Sequence, residues 1–265
     1  MTERDYRSAD GISRTELWKI RESPEKFKWA QEHPEEPTPA LIFGSLVHKV
    51  LLEPKTVDEE FVIAPDVDRR TKDGKEAYSR FLANVGDRTI VSQTDFNKAS
   101  EMVNALNALE FVEKLLDGDR EMPIRWYDDL TEELCKCRLD CLTYIDDKPI
   151  VVDYKTAADA STDAFVRSAI NHGYDFQAGM YCEGIEKITG LKPVFVFIVQ
   201  EKDPPHAVNI FQADDLMVKR GYDIFRELIG IYHDCKQTGN WYGYLGKYNV
   251  INNLALPAWL AKEVE

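Results

Sequence analysis

Pro149-Ile-Val-Val-Asp-Tyr-Lys-Thr156 decides how this chain is read: an apolar run ends in an acid and a lysine two residues apart. Ile150, Val151 and Val152 are the β-branched residues that a buried strand prefers. The two-residue period of a strand puts Asp153 and Lys155 on one face and Tyr154 on the other. A carboxylate and an ammonium therefore leave the core side by side.

Working outward, Leu134 to Ile145 reads as a second strand, and Asp146-Asp147 is the turn before Lys148 resumes the extended run. Counting through that turn pairs Ile145 with Lys148 and Asp140 with Asp153. Directly opposed side chains have Cβ atoms about 4.5–5.5 Å apart, and like charges so placed are destabilising unless neutralised. A divalent cation is the natural neutraliser, because hard cations take carboxylate oxygens. Lys136, Arg138 and Asp140 share a face, so two cations line the approach to the acids, and Arg138 and Lys136 are candidate phosphate contacts. Glu121, at the start of a preceding strand from Arg120 to Tyr127, is a candidate further acid of the site.

Elements on both sides complete an α/β pattern. Ser13-Arg-Thr-Glu16 is a capping box opening a short helix to Ile20, and Ser23-Pro24 opens a second, to about His33. Ala40 to Glu53 is a strongly apolar helix stopped by Pro54, with Gly44 and His48 on one face and the glycine suited to close backbone approach. Residues 55–91 are hard to decipher beyond a basic turn, Arg69 to Lys75, and a helix from Glu76 to Asn84. Asp95 to Leu116 carries apolar residues at helical spacing and predicts one core-facing helix. Helices are predicted over 162–171 and 174–189, and strands over 192–200 and 207–212. A long helix follows from Ala213 to Cys235, with Leu216, Tyr222, Phe225, Leu228, Ile229 and Tyr232 inward. The expected architecture is a central mixed β-sheet flanked by helices, with extra N-terminal helices. Residues 1–265 read as one domain: a helical cap over 1–39, a core over 40–212, and a C-terminal helix and aromatic tail over 213–265.

Of the 265 residues, 44% are hydrophobic, enough for a substantial core. No run of roughly 18 apolar residues exists and the start is too polar for a secretion signal, so the expected location is cytoplasmic, with no membrane association. The five cysteines are odd in number and lack CxxC spacing, which argues against a disulfide framework or a zinc site. Cys137 and Cys141 have the parity opposite to Asp140 and read as small core residues. A net charge of −14 speaks against nucleic acid as a partner, although it says little about one groove.

Taken together, His48 on an early apolar helix, Asp140, Val151-Val-Asp153-Tyr-Lys155 and Gln177-x-x-x-Tyr181 resemble the RecB-like branch of the PD-(D/E)xK nuclease superfamily. The Ser13 and Ser23-Pro24 start and Phe43-Gly-Ser-Leu-Val-His48 are most similar to RecE-type nuclease domains, exonuclease VIII. The resemblance implies a restriction-endonuclease-like core and a Mg2+-dependent exonuclease. Such an enzyme degrades one strand of double-stranded DNA from a 5′ end, leaving 3′ single strands for a RecT-like single-strand annealing recombinase. It also implies a homo-oligomeric ring, a tetramer, with basic residues lining the channel. In that scheme Asp140 and Asp153 are carboxylate ligands, His48 a nitrogen ligand, and the backbone carbonyl of Tyr154 a further oxygen. Mn2+ is the expected substitute metal, since histidine is softer than magnesium prefers. Lys155 orients and helps deprotonate the attacking water or neutralises the phosphate, and Gln177 and Tyr181 hold Lys155 or the scissile phosphate. The alternatives are an endonuclease of the same superfamily, a non-catalytic DNA-binding recombination scaffold, and a plain surface ion pair between Asp153 and Lys155.

Overall fold

The structure is a computed structural model and describes residues 3–257. The chain opens with α1 (Glu3–Ser8), a two-residue strand β1 (Ile12–Ser13), α2 (Arg14–Ile20) and α3 (Pro24–Glu32). Next come α4 (Pro39–Leu52), α5 (Val57–Glu60), β2 (Phe61–Ile63), α6 (Lys72–Leu82), β3 (Thr89–Val91), α7 (Gln93–Asn107) and α8 (Glu110–Leu115). A meander follows, β4 (Asp119–Tyr127), β5 (Leu134–Ile145) and β6 (Lys148–Ala157), then α9 (Thr162–His172) and α10 (Tyr174–Thr189). The chain ends in β7 (Val194–Glu201), β8 (Val208–Gln212) and α11 (Asp215–Thr238). Among the described residues no helix is long and apolar enough to cross a membrane.

Local chemistry explains most of these boundaries. Both halves of the Ser13/Glu16 capping box form, and Ser23 caps α3 with Pro24 in its first turn. Asp146 and Asp147 both have positive φ, 49° and 60°, as a type I′ two-residue turn requires, and acids tolerate that region better than bulky residues. The hairpin therefore registers Ile145 opposite Lys148 and continues to Cys141 opposite Val152. β6 and β7 are parallel, so α9 and α10 supply the crossover between them, and β8 adds an antiparallel edge.

This mixed sheet separates two apolar layers. Leu17, Phe27, Phe165, Phe176 and Phe225, from α2, α3, α9, α10 and α11, pack against Val151, Phe195 and Phe197 on one face. Leu46, Val47, Met102, Leu106 and Val112, from α4, α7 and α8, pack against Val152, Tyr154 and Ile198 on the other. α10 and α11 cross backbone to backbone: a Cβ on Gly179 would fall 2.1 Å from the Tyr222 nitrogen, and one on Gly221 1.7 Å from the Asp175 oxygen.

Several expectations are corrected here. The helix expected over 95–116 is two, because the chain turns at Ala108 and Leu109 takes extended backbone as the cap of α8. Both pieces aim apolar residues at one core, so the spacing hides the break. Leu216 is 76% exposed and Tyr222 is also exposed, while Phe225, Leu228 and Ile229 are buried; Leu216 precedes the crossing at Gly221 and has no layer to enter. Gly44 admits no close backbone, the nearest atom to a Cβ there being Thr156 Oγ1 at 3.9 Å. Residues 61–91 contain the parallel pair β2–β3, which no sequence pattern announced, and α6 starts at Lys72 behind the cap Thr71. Cys137 and Cys141 are both buried but lie in opposite layers. The last difference locates the site.

Candidate active site

β5 has β4 along one whole edge, in one register from Tyr127 opposite Leu134 to Asp119 opposite Leu142. Its other edge is shared: β1 takes Cys135 and Lys136, and β6 begins only at Cys141. On that edge, among the described residues, Cys137 to Asp140 have no strand beside them, and an opening is left in the sheet. The β4–β5 ladder skips one pair at the same level, Glu121 and Asp140, and Glu121 has φ +52°. A left-handed acid inside a strand costs on the order of 1–3 kcal/mol, and such strain persists where surrounding structure imposes it, commonly at functional sites. The kink reverses the alternation of both strands, which is why Cys137 and Cys141 part company.

Asp140 turns into the opening. Its Oδ2 accepts a 2.7 Å hydrogen bond from the Tyr154 backbone N–H and lies 3.5 Å from His48 Nδ1. His48 comes from α4, where Thr38 caps the helix and Pro39 opens it, and its ring meets that of Tyr154 edge-on at 5.1 Å. Glu121 completes the group: His48, Glu121 and Asp140 each offer a ligand atom within 4.8 Å of the others.

Asp153 stands beside this group with different partners. It is 3% exposed, Oδ1 accepts from Gln177 Nε2 at 2.5 Å, and Lys155 Nζ lies 2.5 Å from Oδ2. That Lys155 contact lacks hydrogen-bonding direction, so buried Oδ2 keeps unused acceptor capacity. Burial pushes the Asp153 carboxyl above the usual carboxylate range; Lys155 opposes the shift and Asp140 adds to it. The direct facing of Asp140 and Asp153 expected from the turn is not formed, because the β5–β6 ladder stops one pair short, at Cys141 and Val152. Each acid finds its own donors instead.

The other expected residues divide. Tyr154 enters the site through its N–H and ring, while its hydroxyl donates to Gln200 on the far layer at 2.7 Å. Gln177 and Tyr181 sit one turn apart on α10. Tyr181 lines the cleft, and burial holds its phenol well above its ordinary pKa. Arg138 also lines the cleft, with Glu53 at 2.9 Å and Glu121 at 2.5 Å. The phosphate role expected of Lys136 does not fit: its Nζ lies 3.4, 3.1 and 2.5 Å from the carbonyl oxygens of Tyr6, Arg7 and Ala9, which engages its donors at the end of α1.

Around these residues runs a cleft of about 860 Å³, lined by seven lysines and arginines against five acids. A chain of net charge −14 thus presents a locally basic cleft. Sequence reasoning missed Arg14, which was visible only as the first residue of a capped helix, and the Lys49 ion pairs to Glu53 and Glu60 at 2.9 and 2.7 Å. No local signal distinguishes these from surface charges.

The donor set suits a divalent cation: one imidazole, two converging carboxylates, and a third carboxylate nearby whose buried oxygen meets Lys155 and has acceptor capacity left. His48, Glu121 and Asp140 would hold it, with Asp153 adjacent.

A protein of Eubacterium rectale described as a "Putative exonuclease" has the same fold, with a TM-score of 0.62 at 16% identity, 99% of this chain and 97% of that one being covered. The SSO0001 protein superposes at a TM-score of only 0.33 and 13% identity over 71% of this chain and 85% of its own. No curated protein matches the chain in sequence. Residues 13–253 match the profile of the PDDEXK-like domain of unknown function, DUF3799, and the chain belongs to that family.

Proposed function

We propose that this PDDEXK-like protein is a magnesium-dependent exodeoxyribonuclease of the RecE type, which hydrolyses one strand of linear double-stranded DNA from its 5′ end and leaves 3′ single-stranded tails. The observation that carries the reading is the His48, Glu121 and Asp140 group set beside the Asp153–Lys155 pair in a basic cleft of an acidic chain. A divalent cation bound there supplies Lewis acidity, lowering the pKa of a bound water and neutralising phosphate charge. Lys155 is held by Asp153 with its ammonium over the Tyr174 ring at 4.8 Å, and from there it steers a water or a phosphate oxygen. Gln177 fixes Asp153 through Oδ1, keeping Oδ2 for Lys155 and the cation. Arg138 meets an incoming phosphate by sharing donors now given to Glu53 and Glu121.

A ring of subunits with a RecT-like annealing partner follows from the RecE resemblance alone. It is compatible with a charge distribution that keeps cations in the cleft. The test is digestion of a linear duplex labelled at the 5′ or 3′ end, with magnesium, manganese or chelator, beside a closed circular duplex. Release of the 5′ label first, only with metal and only from linear DNA, supports the proposal. Cleavage of the circle makes the protein an endonuclease of the same class. Intact DNA in every arm leaves a non-catalytic scaffold.

A further inference from the structure

Arg14 is a cleft cation that neither the acids nor the expected motif explain. Its backbone is fixed twice: Ser13 pairs with Lys136 of β5, and the Ser13 N–H donates to Glu16 Oε2 at 2.9 Å in the capping box. The side chain then crosses to the α9–α10 junction, where Nη2 donates to the carbonyls of His172 and Gly173. The guanidinium lies 5.5 Å from the Trp18 ring centre and 5.9 Å from that of Phe176. Gly173 begins the turn into the helix carrying Gln177 and Tyr181, so Arg14 is tied to the element that positions the Asp153 carboxylate.

Its partners are incomplete. Among the described residues Nε is buried without a hydrogen bond and no carboxylate lies within ion-pairing reach of Arg14, whereas Lys49, Arg138 and Lys155 each have one. Burial lowers the Arg14 pKa, and the charges of Tyr181, Asp153 and Tyr174 act against that shift. A guanidinium stays protonated in proteins, so a half-buried one with an unbonded Nε, facing a cleft without an acid of its own, has donors left for an anion. Its planar fork matches a phosphate better than any other side chain.

We propose that Arg14 is a phosphate-positioning residue, gripping a non-bridging oxygen of the strand that enters the cleft between Tyr181 and Lys155; the inference rests on the nuclease reading above. The rival role is structural, a guanidinium capping the last carbonyls of α9. Arg14→Gln and Arg14→Lys separate them when KM and kcat for a 5′-labelled duplex are measured with magnesium, and duplex affinity is titrated against salt with calcium. For Arg14→Gln, KM should rise about tenfold and the slope of log affinity against log salt should fall by about one, the loss of one phosphate contact. Arg14→Lys should keep the slope while raising KM several-fold, and it carries the test if the glutamine variant fails to fold. Unchanged KM and slope in Arg14→Lys and Arg14→Gln, with only a lower melting temperature, would overturn the proposal and leave a helix cap. Wild-type protein that neither binds nor cuts duplex DNA overturns the nuclease reading as well, so the two failures are distinguishable.

Discussion

β4 and β5 carry buried charge near both ends of their pairing, and the two ends are built in opposite ways. At the hairpin end Asp128 accepts from the Thr131 N–H and hydroxyl at 2.8 and 2.7 Å and pairs with Arg226 of α11, while Glu133 receives His233 and Lys236 at 3.0 and 2.5 Å. Burial alone would raise the Asp128 carboxyl, but the Thr131 and Arg226 hydrogen bonds outweigh it and hold the group below its ordinary range. At the other end Glu121, Asp140 and His48 converge, with Arg138 against Glu121 and no lysine or arginine paired to Asp140 among the described residues; one residue of the group is strained, and neighbouring Asp153 is pushed up by its burial. The first end is a latch whose charges are largely matched within the chain. The second turns three ligand atoms toward one point inside a cleft rimmed by cations, the arrangement expected where a metal and a phosphate complete the charge balance.

The largest effect that sharpens this contrast is catalytic. Lys155→Ala and Asp153→Asn should each lose roughly 10²–10⁴-fold of duplex cleavage, the range typical of proton-transfer groups. Asp153→Asn removes the buried charge and keeps an acceptor for Gln177, so its melting temperature should stay within about 2–4 °C of wild type, the equivalent of roughly 1 kcal/mol in a chain of this size. Wild-type digestion by either variant would break the assignment.

Arg226→Ala should show the reverse pattern. It strands Asp128, which is 1% exposed, and removing one partner of a buried pair costs about 3–5 kcal/mol. Thermal unfolding should register a fall of roughly 6–20 °C, with turnover at low temperature unchanged. Equal losses of stability from the site and latch variants would erase the distinction between the two ends.

The smallest effect concerns Glu183, the one poorly served acid of the latch. Arg226 lies 3.5 Å from it but also serves Asp128, and burial lifts the Glu183 carboxyl from 4.5 to about 7. A raised carboxyl pKa means that the folded protein keeps a proton the unfolded chain has shed between those values. Stability from this group is therefore present below pH 4.5 and lost as pH rises to about 7. Glu183→Gln should melt above wild type at pH 8, by on the order of 1 kcal/mol in stability, and the gap should close near pH 5. A gap independent of pH would show that Glu183 is not the titrating group.

Much of the fold was readable because it depends on neighbours in the chain. The caps at Ser13 and Ser23, the two-residue turn at Asp146-Asp147 and the apolar runs of β6 and β7 are short-range chemistry, and the elements follow them within a few residues. The break between α7 and α8 was hidden because neither glycine nor proline marks it. β2 and β3 were hidden because three-residue strands have too few residues to show a period.

The sequence by itself determined that Asp153 and Lys155 leave one face of a buried strand together, since a side-chain period of two allows no other arrangement. It also placed Asp140 at the level of Asp153, since the turn sets the count. Only the tertiary structure decided that Asp140 would face His48 and Glu121 instead of Asp153, that Lys136 would be spent on α1, and that Arg14 would reach the cleft. Those outcomes depend on where β5 loses its neighbouring strand, on a left-handed residue in β4, and on helices packed from distant parts of the chain. Periodicity reads one strand or helix at a time, whereas the site is made where several meet.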